Sequence, residues 1–175
     1  LMTKTGTFII NGAERVIVAT DSNQIRKTSQ FYGAESIMTS SIHTSGSDRI
    51  AEALMKINAP DDQIIINLQG DEPLMNPNTI SNLANSKVKN KNEAVGTVVS
   101  PLKDVDEVYN PNCVKVVMNE RNNALYFSRA AIPYNSEIDF KKKEIKTNKL
   151  NFYRHIGIYA FSVKSLKKFI KFGPC

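Results

Sequence analysis

The sequence has no tryptophan and only two cysteines among its 175 residues. Cys113 and Cys175 lie far apart and match no metal-binding or redox spacing, so they are expected to be free thiols in a reduced compartment. No apolar stretch approaches the roughly 20 residues of a membrane-spanning helix, and no cationic region followed by an apolar segment opens the chain. We therefore expect a cytoplasmic protein without a membrane partner.

Several common catalytic motifs are absent as well. The sequence contains neither the G-x-x-x-x-G-K-[ST] loop of many NTPases nor the G-x-G-x-x-G turn of dinucleotide-binding proteins. It also lacks a G-x-S-x-G elbow, an H-E-x-x-H helix and a paired C-x-x-C. A nucleotide site in this chain would have to use another device.

The formal net charge is +6, which would suit a nucleic-acid partner. Much of the excess is concentrated in two lysine-rich segments, residues 141–149 and 164–171. We interpret them as a solvated loop and the outer face of a terminal helix, because no aromatic pattern typical of single-strand binders accompanies them. No nucleic-acid partner is expected, and a basic nucleic-acid-binding module is the weaker alternative.

Short apolar runs alternate with helical patterns, which predicts an α/β fold with a largely parallel sheet. Strands are expected at Arg15–Thr20, Glu35–Met38, Gln63–Leu68, Ala94–Val99, Cys113–Met118, Ala124–Ser128 and His155–Phe161. Helices are expected near Asn23–Tyr32, at Ser47–Ile57, from Pro77, and at Leu166–Phe172. The chain offers no room for a normal helix between Cys113–Met118 and Ala124–Ser128, so an antiparallel insertion or edge is predicted there, with a hairpin turn at Asn122-Asn123.

The sharpest local motif is Gln69-Gly70-Asp71-Glu72-Pro73, directly after the most apolar strand. Ligands of open α/β sheets collect at the carboxyl ends of the strands. A carboxylate there can hold Mg²⁺, which prefers one or two carboxylates together with phosphate oxygens and waters. A simple polar turn is the alternative interpretation.

A second cluster, Thr44-Ser45-Gly46-Ser47-Asp48-Arg49, stands at the start of a predicted helix. Helix N-termini with Gly and Ser offer backbone N–H groups to anions. Ser45 or Ser47 together with Asp48 can also act simply as an N-cap, without any ligand.

Basic side chains follow or open two later strands. Arg129 comes after Tyr126-Phe127-Ser128, and Arg154-His155 precedes an apolar strand. Such side chains are costly to bury without an anionic partner, and an acidic substrate would supply one. For His155 a structural, hydrogen-bonded role is the alternative.

Six segments carry a family resemblance. They are Ala13–Ser22 (AERVIVATDS), Thr44–Ala53 (TSGSDRIAEA), Ile65–Met75 (IINLQGDEPLM), Asn110–Asn119 (NPNCVKVVMN), Ala124–Tyr134 (ALYFSRAAIPY) and Phe152–Phe161 (FYRHIGIYAF). These segments resemble, in the same order, those of the 3-deoxy-manno-octulosonate cytidylyltransferases, also called CMP-Kdo synthetases. Sialic-acid cytidylyltransferases share the general fold, but QGDEP, YFSRAxIP and RHIGIYxF resemble the Kdo enzymes.

The resemblance implies a nucleotide-diphospho-sugar transferase fold of the glycosyltransferase-A type. This fold has a mixed, mainly parallel sheet with helices on both faces and a small antiparallel insertion. The family implies a homodimer that uses Mg²⁺ to transfer CMP from CTP to the anomeric hydroxyl of 3-deoxy-manno-octulosonate (Kdo), releasing pyrophosphate, for lipopolysaccharide biosynthesis. A related acidic sugar, sialic acid, is the alternative substrate.

The same resemblance implies roles for single residues. Asp71 would be the catalytic carboxylate that binds Mg²⁺. The sugar site would contain Gln69, Arg129, His155 and Tyr159. The cytidine nucleotide would lie at Ser45, Gly46 and Arg49.

Three departures from the family shape the expected organisation. Residues 1–175 contain neither the family's basic loop, R-x-x-S-x-R-L-P-G-K, nor its C-terminal portion with a second metal-binding aspartate. Leu1–Ile10 also departs, since the family has a continuous helix where Thr5-Gly6-Thr7 would break one. We expect a single cytidylyltransferase domain, incomplete at both ends, that is inactive alone. A non-catalytic remnant that still folds and dimerises is the alternative.

Overall fold

The computed structural model describes residues 6–10, 15–70, 74–134, 138–139, 144–145 and 152–172. Side chains are described for residues 16–70, 74–134 and 152–172. The chain divides into two compact units, the first formed by Leu1–Thr97 with Gly157–Cys175 and the second by Val98–Ile156. The expectation of a single domain stays a prediction.

The strands are β1 (Gly6–Ile10), β2 (Arg15–Thr20), β3 (Glu35–Met38), β4 (Ile64–Gln69), β5 (Val95–Pro101), β6 (Lys115–Met118), β7 (Ala124–Ser128), β8 (Ile138–Asp139), β9 (Glu144–Ile145) and β10 (Tyr153–Ser162). The helices are α1 (Asn23–Phe31), α2 (Gly46–Lys56), α3 (Pro77–Lys89), α4 (Val105–Tyr109) and α5 (Val163–Phe169), and a 3₁₀ turn covers Ile170–Phe172. The seven predicted strands and four predicted helices are all present, with ends shifted by a few residues.

In the first unit, neighbouring strands follow the order β3-β2-β1-β4-β10. β2 and β3 pair in parallel, whereas β1 pairs antiparallel with both β2 and β4, and residues 158–162 of β10 pair antiparallel with β4. The sheet is mixed, as expected, but most of these neighbours are antiparallel rather than parallel. For β1 and β2 the reason is the short connection of residues 11–14, which leaves no room for the crossover helix that a parallel pair requires.

Strand β1 is itself a departure from the sequence-based expectation. Residues 3–7 show neither a clear helical nor a clear strand pattern, yet the structure begins a strand at Gly6. The run Thr7-Phe8-Ile9-Ile10 consists of β-branched and aromatic residues, which fit a pleated surface. Pairing on both sides, with β2 and with β4, then fixes the strand.

Helices cover both faces of the first unit's sheet, as predicted. One face packs a core in which α2 and α5 contribute Ile50, Leu54 and Leu166 against Ile65 of β4 and Phe161 of β10. Alternate strand residues point to opposite faces, so Ala160 of β10 lies on the other side. There a Cβ built on Gly96 would lie 3.3 Å from Leu83 Cδ1 of α3 and 3.5 Å from Ala160 Cβ.

The second unit is the antiparallel portion that the sequence predicted. β6 pairs antiparallel with β7 and, through Lys115 and Val116, with the first residues of β10. Asn122 has a φ of +59°, which confirms the predicted turn between β6 and β7. The short helix α4, which the sequence analysis missed, supplies Val105 and Val108 to a core with Cys113 and Phe152.

Three smaller findings complete the comparison. Cys113 is a buried free thiol, as expected, whereas Cys175 lies outside the described residues. Within the expected loop after residue 134, the short strands β8 and β9 pair antiparallel. No helix in the described ranges is long and apolar enough to cross a membrane.

Candidate functional site

The N-terminus of α2 is docked against the end of β4. Ser45 caps the helix, and its Oγ accepts a hydrogen bond of 3.1 Å from the backbone N–H of Asp48, which confirms the predicted cap. The next residue, Gly46, lies so close to Gln69 that an added Cβ would be 2.9 Å from Gln69 Oε1. A larger residue here would have to displace the end of the Gln69 side chain. The structure thus brings together Gly46 and Gln69, which the family resemblance assigned to the nucleotide and to the sugar.

Gln69 is held in turn by a residue that sequence reasoning missed. Asn67 is fully buried on β4, and its Oδ1 accepts a hydrogen bond of 2.8 Å from Gln69 Nε2. The sequence did carry a signal, since Asn67 is the single polar residue in the run Ile64-Ile65-Ile66-Asn67-Leu68. A buried amide in such a run requires hydrogen-bond partners, which is a reason to suspect a role beyond packing.

Arg49 points into the protein. Its guanidinium is fully buried and donates to Asp21 Oδ2 at 2.9 Å, to Thr39 Oγ1 at 2.7 Å and to the Ser40 carbonyl at 3.2 Å. These bonds tie α2 to the end of β2 and to the segment after β3. Arg49 is thus an internal anchor in this structure, and its predicted contact with the nucleotide stays a prediction.

Glu52 also contacts the segment after β3. Its carboxylate accepts hydrogen bonds from Lys56 Nζ at 2.7 Å and from the Ser40 backbone N–H at 2.9 Å, and it pairs with His43 Nε2. The bond from Lys56, followed by those from Ser40 and His43, lowers the pKa of Glu52 from 4.5 to about 2. The chain that leads into Ser45 and Gly46 is therefore fixed by charged groups of α2.

The predicted metal ligand Asp71 lies outside the described residues. Within those residues, no group of three or more His, Cys, Asp and Glu side chains could hold a metal ion. One carboxylate at the end of β4 still suits Mg²⁺ that arrives with a nucleotide, because such a metal takes most of its ligands from phosphate oxygens and water. The donor chemistry after Gln69, namely Asp71 and Glu72, fits that role.

In the second unit, Arg129 is exposed and donates from Nη1 to the Pro111 carbonyl at 2.8 Å. Beneath it lies Lys115, which is fully buried and donates to the carbonyls of Asn110 at 2.9 Å and Cys113 at 2.7 Å. Burial lowers the pKa of Lys115, Cys113 acts in the opposite direction, and the positive charge of Arg129 lowers it again. Two cations held near each other on carbonyl oxygens favour the approach of an anion.

His155 and Tyr159 both lie on β10, which confirms that they share a strand. The His155 ring meets the edge of Phe127, with ring centroids 5.0 Å apart, and burial lowers the pKa of His155. Burial likewise raises the pKa of Tyr159, whose ring lies 6.3 Å from that of Phe161. Near pH 7 the imidazole is then neutral and the phenol protonated, so both side chains can hydrogen-bond to hydroxyl groups without carrying charge.

Comparisons with known proteins all match this chain to cytidylyltransferases. Residues 9–175 match the family described as Cytidylyltransferase. The 3-deoxy-manno-octulosonate cytidylyltransferase of Coxiella burnetii RSA 493 is 44% identical over 95% of this chain and 67% of its own length. That of Francisella tularensis subsp. novicida U112 is 44% identical over 89% of this chain and 61% of its own length.

A solved structure supports the same relationship. A CMP:2-keto-3-deoxy-manno-octonic acid synthetase complexed with CTP is 34% identical and superposes with a TM-score of 0.80. The match covers 95% of this chain and 64% of that one. The chain therefore spans about two thirds of the length of these proteins, and the α/β fold expected from the sequence is confirmed.

Substitution of Glu52 tests the charged support of the segment before α2. The folded-state pKa of about 2 lies below the ordinary value of 4.5, so this carboxylate stabilises the fold fully above pH 4.5 and loses its effect as the pH falls through about 2. Glu52→Gln should lower the free energy of unfolding by about 1.5–3 kcal/mol at pH 7, the range for hydrogen bonds to charged groups. The difference from the parent protein should shrink towards zero as the pH approaches 2.

Urea unfolding at pH 7, 4.5 and 3 measures this difference. The control is Glu120→Gln at an exposed turn position, which should change stability by less than about 0.5 kcal/mol at each pH. A difference for Glu52→Gln that is constant with pH would mean that the carboxylate's charge does not support the segment.

Proposed function

Because this chain belongs to the 3-deoxy-manno-octulosonate cytidylyltransferase family, we propose that its protein transfers CMP from CTP to Kdo, giving CMP-Kdo and pyrophosphate. The observation that carries the proposal is the close contact of Gly46 with Gln69. It places the start of a helix, which suits a nucleotide, beside an amide that suits a polyhydroxylated sugar. CMP-Kdo is a precursor for lipopolysaccharide, and the reduced, buried Cys113 fits a cytoplasmic location.

The reaction exchanges a phosphoanhydride bond of CTP for a phosphoester bond to the sugar. The anomeric hydroxyl oxygen of Kdo forms a bond to the α-phosphorus of CTP and loses its proton to water, the bond from that phosphorus to the bridging oxygen breaks, and pyrophosphate leaves with the electron pair. The chain's own contribution is to hold the two reactants in register, which is a large part of catalysis in phosphoryl transfer. Ser45 and Gly46 at the N-terminus of α2 are proposed to lie at the nucleotide, where the helix dipole favours negative charge.

Mg²⁺ is the proposed cofactor, and Asp71 is its proposed protein ligand. When bound, the metal would neutralise phosphate charge. Asp71→Asn is nearly isosteric but removes the charge that Mg²⁺ requires, so turnover should fall by at least about 100-fold, roughly 2.7 kcal/mol or more of transition-state stabilisation. Melting temperature should stay within about 2 °C, because the change leaves no cavity.

Pyrophosphate release with CTP, Kdo and Mg²⁺ measures this effect. These 175 residues contain no basic glycine-containing loop of the family type, so we expect the 175-residue chain alone not to turn over. Turnover is therefore measured in a complete version of the protein, in which the family's segments at both ends are restored. Asn78→Asp, an exposed position near the start of α3, is the matched control and should retain activity. Full activity of Asp71→Asn would reduce Asp71 to a turn residue.

Arg129 is the proposed partner of the Kdo carboxylate. A planar guanidinium binds a carboxylate through two parallel charge-assisted hydrogen bonds, which a lysine cannot reproduce. The exposed Arg129 is already oriented by the Pro111 carbonyl, which uses one of its five N–H donors. Arg129→Lys should lower kcat/KM for Kdo by a factor that corresponds to about 1.5–3 kcal/mol, the range for hydrogen bonds to charged groups. The decrease in kcat/KM for CTP should be smaller.

The measurement compares kcat/KM for each substrate separately, read as free energies. Arg121→Lys, at an exposed turn, is the matched control. Parallel assays with sialic acid decide between the two acidic sugars. An equal loss for CTP and Kdo, or no loss in a folded protein, would make Arg129 a structural or dimer-contact residue instead.

A homodimer is the proposed assembly, and β7 is its proposed contact. Leu125 and Tyr126 are each 64% exposed and lie on opposite faces of a strand whose described pairing is with β6. A strand that exposes large apolar side chains on both faces is a suitable binding surface for a second chain. The two-fold symmetry of most homodimers would bring β7 of one copy near β7 of the other.

Light scattering after size-exclusion chromatography tests this assembly. Tyr126→Lys should convert a dimer into a monomer, because it would place two lysines in a small apolar contact. Ile42→Lys, at a position that is 80% exposed in the first unit, should leave the dimer intact. A monomeric parent protein, or a dimer unchanged by Tyr126→Lys and by Leu125→Lys, would rule out β7 as the contact.

A further inference from the structure

Asn67 is the one fully buried amide side chain in the described part of β4. Its strand is paired on both sides, with Phe8 of β1 and Tyr159 of β10 as its direct neighbours. An apolar residue would be cheaper to bury at this position, since a buried amide needs hydrogen bonds to replace those that it makes with water. The position therefore requires an explanation in terms of what the amide holds.

The contacts of Asn67 join two elements of the candidate site. Its Oδ1 accepts a hydrogen bond from Gln69 Nε2 at 2.8 Å, and its Nδ2 donates to Ser47 Oγ at 3.4 Å. Asn67 and Gln69 are two apart on a strand, so their side chains point to the same face, which is also the face of Ile65 and of α2. One buried amide thus contacts both the side chain at the end of β4 and the first turn of α2.

The bond to Asn67 fixes the orientation of the Gln69 amide. A glutamine side chain has three rotatable bonds and loses considerable entropy when it is ordered by a ligand. In this structure the hydrogen bond to Asn67 orders the Gln69 side chain before any ligand binds. Gly46 also limits its position, because a Cβ added at Gly46 would lie 2.9 Å from Gln69 Oε1. One Nε2–H is used by Asn67, and the amide keeps a second N–H donor and its carbonyl oxygen for other partners.

We propose that Asn67 is a positioning residue: it holds the Gln69 amide in the orientation that binds the hydroxyl groups of the sugar substrate. The inference rests on the proposed function, because it takes Gln69 as a sugar ligand. Asn67 does not touch the substrate and acts only through Gln69. Loss of its acceptor oxygen frees the glutamine amide to rotate, and sugar binding must then order it again.

A double-mutant cycle in the complete protein tests this dependence. Asn67→Leu keeps the branching and the number of side-chain heavy atoms and removes both hydrogen bonds, and it should raise KM for Kdo about 10-fold with less than a twofold change in KM for CTP. In the background of Gln69→Ala, the same substitution should change KM for Kdo by less than twofold. Asn67→Asp, which retains an oxygen acceptor for Gln69 Nε2, should recover part of the loss if it folds.

A residue with only a structural role would behave differently. Asn67→Leu would then reduce activity by the same factor with and without Gln69, or it would affect CTP as much as Kdo, and either outcome overturns the inference. Asn85→Leu, at an exposed position of α3, is the matched control and should leave both KM values unchanged.

A second measurement does not depend on turnover. In ¹⁵N-edited NMR spectra of the complete protein, the Gln69 side-chain N–H₂ pair should show slow hydrogen exchange, and Asn67→Leu should move it to the shifts and fast exchange of an exposed glutamine. Rapid exchange of this pair in the parent protein would overturn the inference. Absence of CTP- and Kdo-dependent turnover would instead overturn the proposed function, while the NMR result still decides whether Asn67 holds Gln69.

Discussion

The contact between Gly46 and Gln69 is the constraint around which the first unit's candidate site is arranged. An added Cβ at Gly46 would lie 2.9 Å from Gln69 Oε1 and 3.2 Å from Nε2, so a larger residue at this position would have to displace the Gln69 amide. Helix α2 begins at this contact, directly after the Ser45 cap. It also limits the Gln69 amide to the space that Asn67 then determines.

Buried charge makes the same arrangement rigid. The Arg49 guanidinium would be very costly to bury alone, and its bonds to Asp21, Thr39 and the Ser40 carbonyl reduce that cost only if all three groups stay in place. Its Nε is buried without a described hydrogen-bond partner, so this compensation is incomplete. Arg49 and Glu52 consequently both hydrogen-bond to the segment after β3, and these bonds fix the position of Ser45 and Gly46, which follow it.

Sequence periodicity predicted the elements of this fold well, because buried strands such as Ile64–Gln69 and capped helices such as Gly46–Lys56 are specified by local pattern. It failed where the deciding information is not local. The direction of β1 follows from the length of its connection and from its pairing with two other strands, neither of which is contained in the local pattern of residues 6–10. The bonds of Arg49 to Asp21 and Thr39 likewise cannot be seen in a sequence, whereas the nucleotide contact that the family resemblance implies for Arg49 stays a prediction. Asn67 stands out as the single polar residue of its apolar run, but its partners Gln69 and Ser47 are visible only in the structure.

The buried cations Arg49 and Lys115 are compensated in different ways, and this difference bears on which ligand can bind near each of them. In the first unit, the buried cation Arg49 is matched by the carboxylate of Asp21 and is therefore largely neutralised. In the second, Lys115 is held by the carbonyls of Asn110 and Cys113, and the Arg129 nearby is held by that of Pro111. Carbonyl oxygens solvate a cation but do not cancel its charge, so a positive potential remains at Arg129. Such a potential favours a carboxylate from outside over any neutral ligand, and the planar, exposed guanidinium supplies the geometry to bind it through two oxygens.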